Sequence, residues 1–394
     1  MIHSDVSGRP GLSSQAQELR EWLTHCSLTL WAGAGFDPEH GRFEERLSLG
    51  GKRVPGIPIR LMTQARQIYV YSLAAGRQWH AGAHELVETA YASMLRDFHR
   101  RDGQGGWIHS ILRDGTIANA QRDLYAHAFV LLAIASYVQA TGKREALPLA
   151  DETLAFIDRF MRAGQGGGYV DAVPANDGLR RQNPHMHLFE ALLALWECSG
   201  EARFFARASE MFGLFTLHFF RPDSGILAEY FNAALEPADG IAGTIAEPGH
   251  HYEWIWLLRR FERASGRAVK PYVDKLFAHA DAHGYDDAGL IVDEVLSNGS
   301  PLTRSRRAWP VTEAIKANLA EATFGRPGSE NKAAMLTTKL QAYFLKSEPA
   351  GGWIDRLDEN GAPATDFMPA STLYHVACAI DELDRFVHSM AVKP

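Results

Sequence analysis

The sequence predicts an all-α (α/α)6 toroid, a closed ring of six helical hairpins with an inner and an outer set of helices. Three observations carry this. A glycine-led pattern recurs six times along the 394 residues. Each interval between copies holds two segments of helical period, and the segment after each copy is more apolar than the one before it.

The pattern is a glycine, then an aromatic or aliphatic residue, often followed by an acidic one. It stands as Gly41-Arg42-Phe43-Glu44-Glu45, Gly106-Trp107-Ile108-His109 and Gly168-Tyr169-Val170-Asp171. It returns as Gly225-Ile226-Leu227-Ala228-Glu229, Gly289-Leu290-Ile291-Val292-Asp293 and Gly352-Trp353-Ile354-Asp355. The glycines step by 65, 62, 57, 64 and 63 residues, so the copies fill the chain. Segments 16–30, 82–100, 146–161, 202–219, 270–283 and 330–345 precede the copies and mix apolar stripes with charged faces, as partly exposed helices do. The segments that follow start near Arg60, Ala118, Asn183, Pro248, Trp309 and Ser371. Runs such as 125–132 and 188–196 are apolar nearly all round, which marks a buried helix. The glycine patterns then become turns or β-hairpins at one end, feeding the inner helices. No low-complexity linker interrupts the order, so residues 1–394 read as one catalytic domain. An open solenoid is the alternative; six pairs and termini that are not polar caps favour closure.

Composition narrows the function. A formal charge of −7 and a pI near 6.2 give no electrostatic footprint for nucleic acid. Cys26, Cys198 and Cys378 are too few and too scattered for a disulfide framework or zinc ribbon. Met1 to Gln17 is polar and lacks the apolar core of a secretory signal. The most apolar run, 126–140, contains His127, Ser136, Tyr137 and Gln139 and reads as a buried helix rather than a membrane span. A cytoplasmic, membrane-free monomer or homodimer is expected.

If the inner helices start at one end, their first two turns face one cavity. The first offers Arg60, Gln64 and Arg66, the second Tyr125 and His127, the third Asn183 and His187 with Glu190 a turn deeper. The fourth offers His250 and Glu253 on one face, behind Pro248 and a Gly249 that suits a tight entry to the helix. The fifth offers Trp309 and Glu313, and the sixth Ser371 and His375. Taken singly, Arg60 reads as a solvated charge, Trp309 as core filling, and His250 and His375 as satisfied core histidines. Together they form a carbohydrate-binding inventory: forked polar groups for hydroxyls and an aromatic face for C–H surfaces. His185 and His187, or His250 and His251, are too close along a helix to aim at one ion, and no H-E-x-x-H is present, so metal catalysis is not expected. Gly164–Gly168 follows a helix and enters a hairpin, the wrong context for a phosphate loop. Arg304, Arg306 and Arg307 suit either a substrate anion or a solvated loop.

These residues resemble the N-acylglucosamine 2-epimerase superfamily, which includes mannose isomerases, cellobiose 2-epimerases and sulfosugar isomerases. The resemblance rests on Arg60-x-x-x-Gln64-Ala65-Arg66, Asn183-Pro184-His185-Met186-His187, Gly249-His250-His251-Tyr252-Glu253-Trp254, Trp309-Pro310-Val311-Thr312-Glu313 and Tyr374-His375. It implies an (α/α)6 barrel, His250 and His375 as the acid/base pair, and no cofactor. It also implies that Arg60, Tyr125, Asn183, His187, Glu253 and Trp309 hold the sugar. Met368-Pro369-Ala370 stands where a disaccharide epimerase would place a tryptophan, which turns the expectation towards a monosaccharide.

Such chemistry removes the C2 proton of an opened aldose and stabilises an enediolate. Return of the proton to C1 gives a ketose; return to C2 from the opposite face gives the epimer. The expectation is mannose–fructose isomerisation, with 2-epimerisation as runner-up. An inverting glycosidase using Glu253 and Glu313, or a non-catalytic sugar-binding protein, remains as an alternative.

Overall fold

The computed structural model describes residues 11–175 and 177–392. Met1 to Pro10, the first part of the polar N-terminal stretch, lies outside them.

Among the described residues, twelve helices alternate between an outer and an inner ring. The outer helices are α1 (12–33), α3 (Ala83–Phe98), α5 (147–161), α7 (202–219), α9 (Lys270–His283) and α11 (329–344). The inner ones are α2 (Leu61–Gly76), α4 (Leu124–Thr141), α6 (Gln182–Ser199), α8 (Pro248–Ser265), α10 (Ala308–Thr323) and α12 (Thr372–Val392). Each inner helix packs against the next, and α12 packs back on α2, closing the ring around one core. Among the described residues, α4 is long and apolar enough to cross a membrane; here it lies between α2 and α6, buried along most of its length. The apolar run is thus used to fill an interior.

The glycine patterns form short hairpins, and their pairing explains the acidic residue that ends most of them. The strand before an inner helix pairs with a strand of the following repeat: Ile59–Arg60 with Ser110–Ile111, Arg122–Asp123 with Ala172–Val173, and so on around the ring. The last such strand, Phe367–Pro369, pairs with Arg46–Ser48 of the first repeat. The acidic residue then ties two helices. Its carbonyl accepts the first N–H of the preceding inner helix, as Asp171 does from Leu124 (2.8 Å) and Glu229 from Gln182 (3.2 Å). Across the closure Glu45 accepts from Ala370 (3.0 Å). Its carboxylate accepts the N-cap N–H of its own helix: Arg60 to Glu45 (3.1 Å), Arg181 to Asp171 (3.1 Å), Arg307 to Asp293 (2.9 Å). These are the orphan donors a helix start must satisfy.

The predicted start at Ala118 is wrong. Ile117–Asn119 is the third strand of a sheet with Ser110–Ile111 and Ile59–Arg60, and α4 begins at Leu124, capped by the Asp123 side chain (2.7 Å to the Ala126 N–H). Its apolar character mimicked an extra helical turn.

Candidate active site

The capping pattern sets one register for all six inner helices. In the first five the N-cap residues are Arg60, Asp123, Arg181, Glu247 and Arg307, and six residues deeper stand Arg66, Phe129, His187, Glu253 and Glu313. The Ala370–Glu45 bond gives the sixth helix the same register, which places His375 at that depth. Contacts link these residues around the ring. The Arg66 guanidinium lies over Phe129 (4.2 Å), Phe129 packs on His187 (4.6 Å), and His187 Nδ1 is 3.9 Å from Glu253. Oxygens of Glu253 and Glu313 and a ring nitrogen of His375 lie within 4.8 Å of one another. One turn deeper, Tyr69, Glu190, Trp256, Lys316 and Cys378 form a floor. A cavity of about 640 Å³ lies behind that floor, lined by Tyr69, Glu190, Trp256, Arg260 and Cys378. The polar ring sits on the other side of the floor, towards the opposite end of the barrel from this cavity.

His250 and His375 meet opposite surroundings. Burial alone would drive His250 neutral, but the carboxylates of Glu229 (3.0 Å from Nδ1) and Glu247 (3.9 Å) overcome it and lift its pKa to about 9. Burial drives His375 the other way, well below the ordinary histidine value, and the Arg66 and Lys316 cations reinforce the shift. Its Nδ1 lies 2.7 Å from Glu313 Oε1. Trp309 contacts both imidazoles, with ring centres 5.0 Å from His250 and 5.5 Å from His375. Gly249 makes that possible: a Cβ there would sit 2.5 Å from the Trp309 indole. Close approach of the indole, rather than helix entry, is the requirement for glycine.

Several polar atoms of the ring, and of Asn183 one turn before His187 on α6, hold no hydrogen-bond partner. Both Glu253 oxygens, Asn183 Oδ1 and Arg66 Nε are buried without a hydrogen bond. Such atoms are the natural contacts of a polar ligand. Burial and the neighbouring Glu313 push the Glu253 carboxyl well up. The Tyr125 hydroxyl accepts from Arg66 (2.5 Å). His187 Nδ1–H donates to Glu190 Oε2 (3.1 Å), and burial lowers the His187 pKa to about 4.

Other expected residues stand apart. Arg60 lies at the rim, 39% exposed and paired with Glu45. Gln64 and His127 do not face the site. Gln64 brackets the Phe43 backbone, and His127 accepts the Trp107 N–H (3.2 Å) while its Nδ1 meets the Asp123 carbonyl (2.7 Å). His185 and His251 do the same for Tyr169 and Leu227. Ser371 contributes only its carbonyl, to Arg66 (3.2 Å). Glu229 and Lys316 were not expected. Glu229 is the acid of the fourth glycine pattern, a signal that was visible but not connected to His250.

The family profile described as N-acylglucosamine 2-epimerase (GlcNAc 2-epimerase) matches residues 41–379. The chain belongs to this family. It is 33% identical over 388 residues to the mannose-6-phosphate isomerase of Rhizobium meliloti (strain 1021), covering 94% of this chain and 97% of that one. It is 30% identical over 371 residues to the D-mannose isomerase of Thermobifida fusca, covering 87% and 88%. The structure of cellobiose 2-epimerase from Spirochaeta thermophila DSM 6192 superposes with a TM-score of 0.84 at 25% identity, covering 98% of this chain and all of that one. A member of this family is an enzyme of the sugar isomerase and epimerase class.

The fold gathers carboxylates and histidines that spacing along single helices did not suggest. His187, Glu190 and Glu253, then Glu229, Glu247 and His250, then Glu253, Glu313 and His375 each cluster within 4.8 Å. The premise that ligand geometry is absent is therefore corrected: it arises between helices. The donors already present argue against an ion. Glu313 is held by Lys316 (2.7 Å) and His375, Glu247 by Arg307 (3.0 Å), and Glu229 by Gln182 (2.9 Å) and His250. A cation of the chain occupies the place beside two of the three clusters.

Proposed function

We propose that this enzyme interconverts D-mannose and D-fructose, with His375 as the base at C2 and His250 as the acid. One observation carries the reading: across Trp309 stand one histidine held as imidazolium and one held neutral. Groups pushed apart in this way are suited to acid and base roles at one pH. His375 would take the C2 proton of the open-chain aldose, leaving the electron pair in an enediolate. Imidazolium His250 and guanidinium Arg66 would stabilise the developing oxyanion. Protonation of O1 by His250, transfer of the O2 proton to the neutral His250 so formed, and return of the proton to C1 by His375 would together give the ketose. Delivery to C2 from the His250 side gives the epimer, which is the second reading, favoured by the placement of both histidines against one indole. Glu253, Asn183, His187, Tyr125, Glu313 and Trp309 would hold the sugar, with Arg60 at the entrance.

Charge pairing favours a neutral sugar. Arg60 is matched by Glu45, Arg181 by Asp171 and Asp177, and Arg307 by Asp293 and Glu247. Arg356 also meets Asp293 (3.4 Å). A phosphate bound by Arg60, Arg181, Arg307 or Arg356 would have to break one of these pairs. The glycosidase alternative is disfavoured because a Glu253 and a Glu313 oxygen lie within 4.8 Å, less than the roughly 6.5–9.5 Å an inverting pair needs. The free thiols fit a cytoplasmic setting, and residues 1–394 would act as a single catalytic domain.

The test is incubation with mannose, mannose 6-phosphate, glucose, fructose and cellobiose in D2O. Fructose from mannose, with deuterium at the former C2 proton's destination, supports isomerisation. Glucose from mannose as the main product overturns it in favour of epimerisation, and release of reducing sugar from a glycoside would overturn both.

A further inference from the structure

We propose that Lys316 is a positioning residue that fixes the tautomer of His375 by holding Glu313 as a carboxylate. The inference rests on the reading of His375 as the base.

The geometry is a linear chain of three side chains from two inner helices. Lys316 Nζ is 2.7 Å from Glu313 Oε2, and Glu313 Oε1 is 2.7 Å from His375 Nδ1. Lys316 and Glu313 are both 0% exposed. The ammonium rests over the Trp256 ring (3.8 Å) and beside Cys378 Sγ (3.7 Å). Removing a lysine from water is costly, and a well-packed apolar residue would serve stability at least as well. The ring itself does not ask for an ammonium, since the other inner helices carry Tyr69, Leu132, Glu190, Trp256 and Cys378 at the matching depth. A functional reason is needed.

The state of Glu313 decides which nitrogen of His375 carries the proton. As a carboxylate it only accepts, so Nδ1 keeps its hydrogen and Nε2 presents a lone pair. As a carboxylic acid it donates to Nδ1, the ring proton moves to Nε2, and no lone pair remains to take the C2 proton. Burial favours the acid form, and the nearby Glu190 of α6 opposes ionisation too. Glu253 of α8 lies in the same cluster. His187 and Arg66 also face this group of charges, but Lys316 is the cation in direct contact with the carboxylate.

The experiment compares Lys316→Met, Glu313→Gln and the double variant, assayed with D-mannose by deuterium wash-in at C2. Lys316→Met is expected to lower kcat about 10²-fold or more with KM within about threefold, because an oriented base is lost and binding is not. The ¹⁵N resonance of His375 Nε2 should change from acceptor-like to N–H-like. The double variant should be no slower than the slower single one, since both act on one tautomer. If Lys316→Met fails to fold, the double variant, which removes one buried charge of each sign, gives the decisive comparison with Glu313→Gln. Multiplying losses, or a lowered Tm with kcat and the ¹⁵N signature intact, would overturn the proposal. His375→Asn in the same assay separates the cases: full activity there defeats the base assignment itself, whereas an inactive His375→Asn beside an active Lys316→Met defeats only the role of Lys316.

Discussion

His250 occupies a capping position that evolved chemistry can exploit. At the matching place in their helices, Thr63 donates to Glu45 (3.1 Å) and Thr372 to Asp355 (2.5 Å). His250 meets Glu229 in the same way, so a structural bond between a helix start and its hairpin here also holds a proton. That gives a pH prediction. The folded pKa of His250 is raised to about 9, so its acid form is present below that value and lost as pH rises through it. His375 is shifted downward, so its base form persists as pH falls below the ordinary histidine range. The kcat/KM profile should therefore be flat through pH 7 with its alkaline limb near 9. Glu229→Gln should move that limb to lower pH; an unmoved limb would detach it from His250. Replacing either histidine by asparagine should lower kcat by about 10²–10⁴-fold with little change in KM. Near-normal kcat in both variants would shift attention to Glu253 and Glu313. The i, i+3 face made His250 and Glu253 legible in the sequence. Glu229 and Lys316 were not, because one acts from a hairpin 21 residues away and the other hides as a single charge in an apolar helix.

Inner helices use a repeated device that engages three of the buried histidines in holding hairpins. Two residues before each of Arg66, Phe129, His187 and Glu253 stand Gln64, His127, His185 and His251, and each accepts a hairpin N–H: from Phe43 (2.9 Å), Trp107 (3.2 Å), Tyr169 (3.0 Å) and Leu227 (3.1 Å). Burial drives His127 and His185 to pKa values of about 4 and His251 to about 3, keeping Nε2 an acceptor. Sequence spacing showed that His185 and His187 are too close along the helix to aim at one ion, but it could not show what His185 binds. His185→Ala strands the Tyr169 N–H and empties a packed site. It should cost about 2–4 kcal/mol of stability, read as a lower Tm, with kcat nearly unchanged. His187→Ala should lower kcat/KM as well as Tm, because His187 faces the ring and its loss also empties a buried place beside Phe129 and Glu190. A second element-scale prediction concerns α8. Gly249→Ala puts a methyl into the Trp309 indole, so it should displace the platform between the histidines and lower kcat/KM at least tenfold while the helix, gaining propensity, remains folded. Unchanged kinetics would show that the indole can move without cost.

At the scale of the molecule, the repeat period and the apolar contrast made the toroid legible, but closure was an inference from the number of pairs and from termini that are not polar caps. The structure supplies its physical basis in three contacts: Phe367–Pro369 pairs with Arg46–Ser48, Ala370 donates to Glu45, and α12 packs on α1 and α2. The same seam sets the register that delivers His375 to the depth of Glu313, so closing the ring and completing the site are one event. A covalent staple across the seam tests this. Ser48 and Phe367 are directly paired across the two strands, within the separation a disulfide can bridge, and both are half-buried. Ser48→Cys with Phe367→Cys should oxidise readily in the folded protein. Because the bond would close nearly the whole chain into one loop, the entropic ceiling on its stabilisation is high, about 5 kcal/mol, less the lost stacking of Arg46 on Phe367. The expected result is a higher unfolding midpoint in the oxidised form and wild-type kcat in both forms, since the native register is kept. Oxidation that fails under native conditions, or that succeeds but abolishes turnover, would mean that the two ends meet in a different register in solution and that His375 reaches its place by another route.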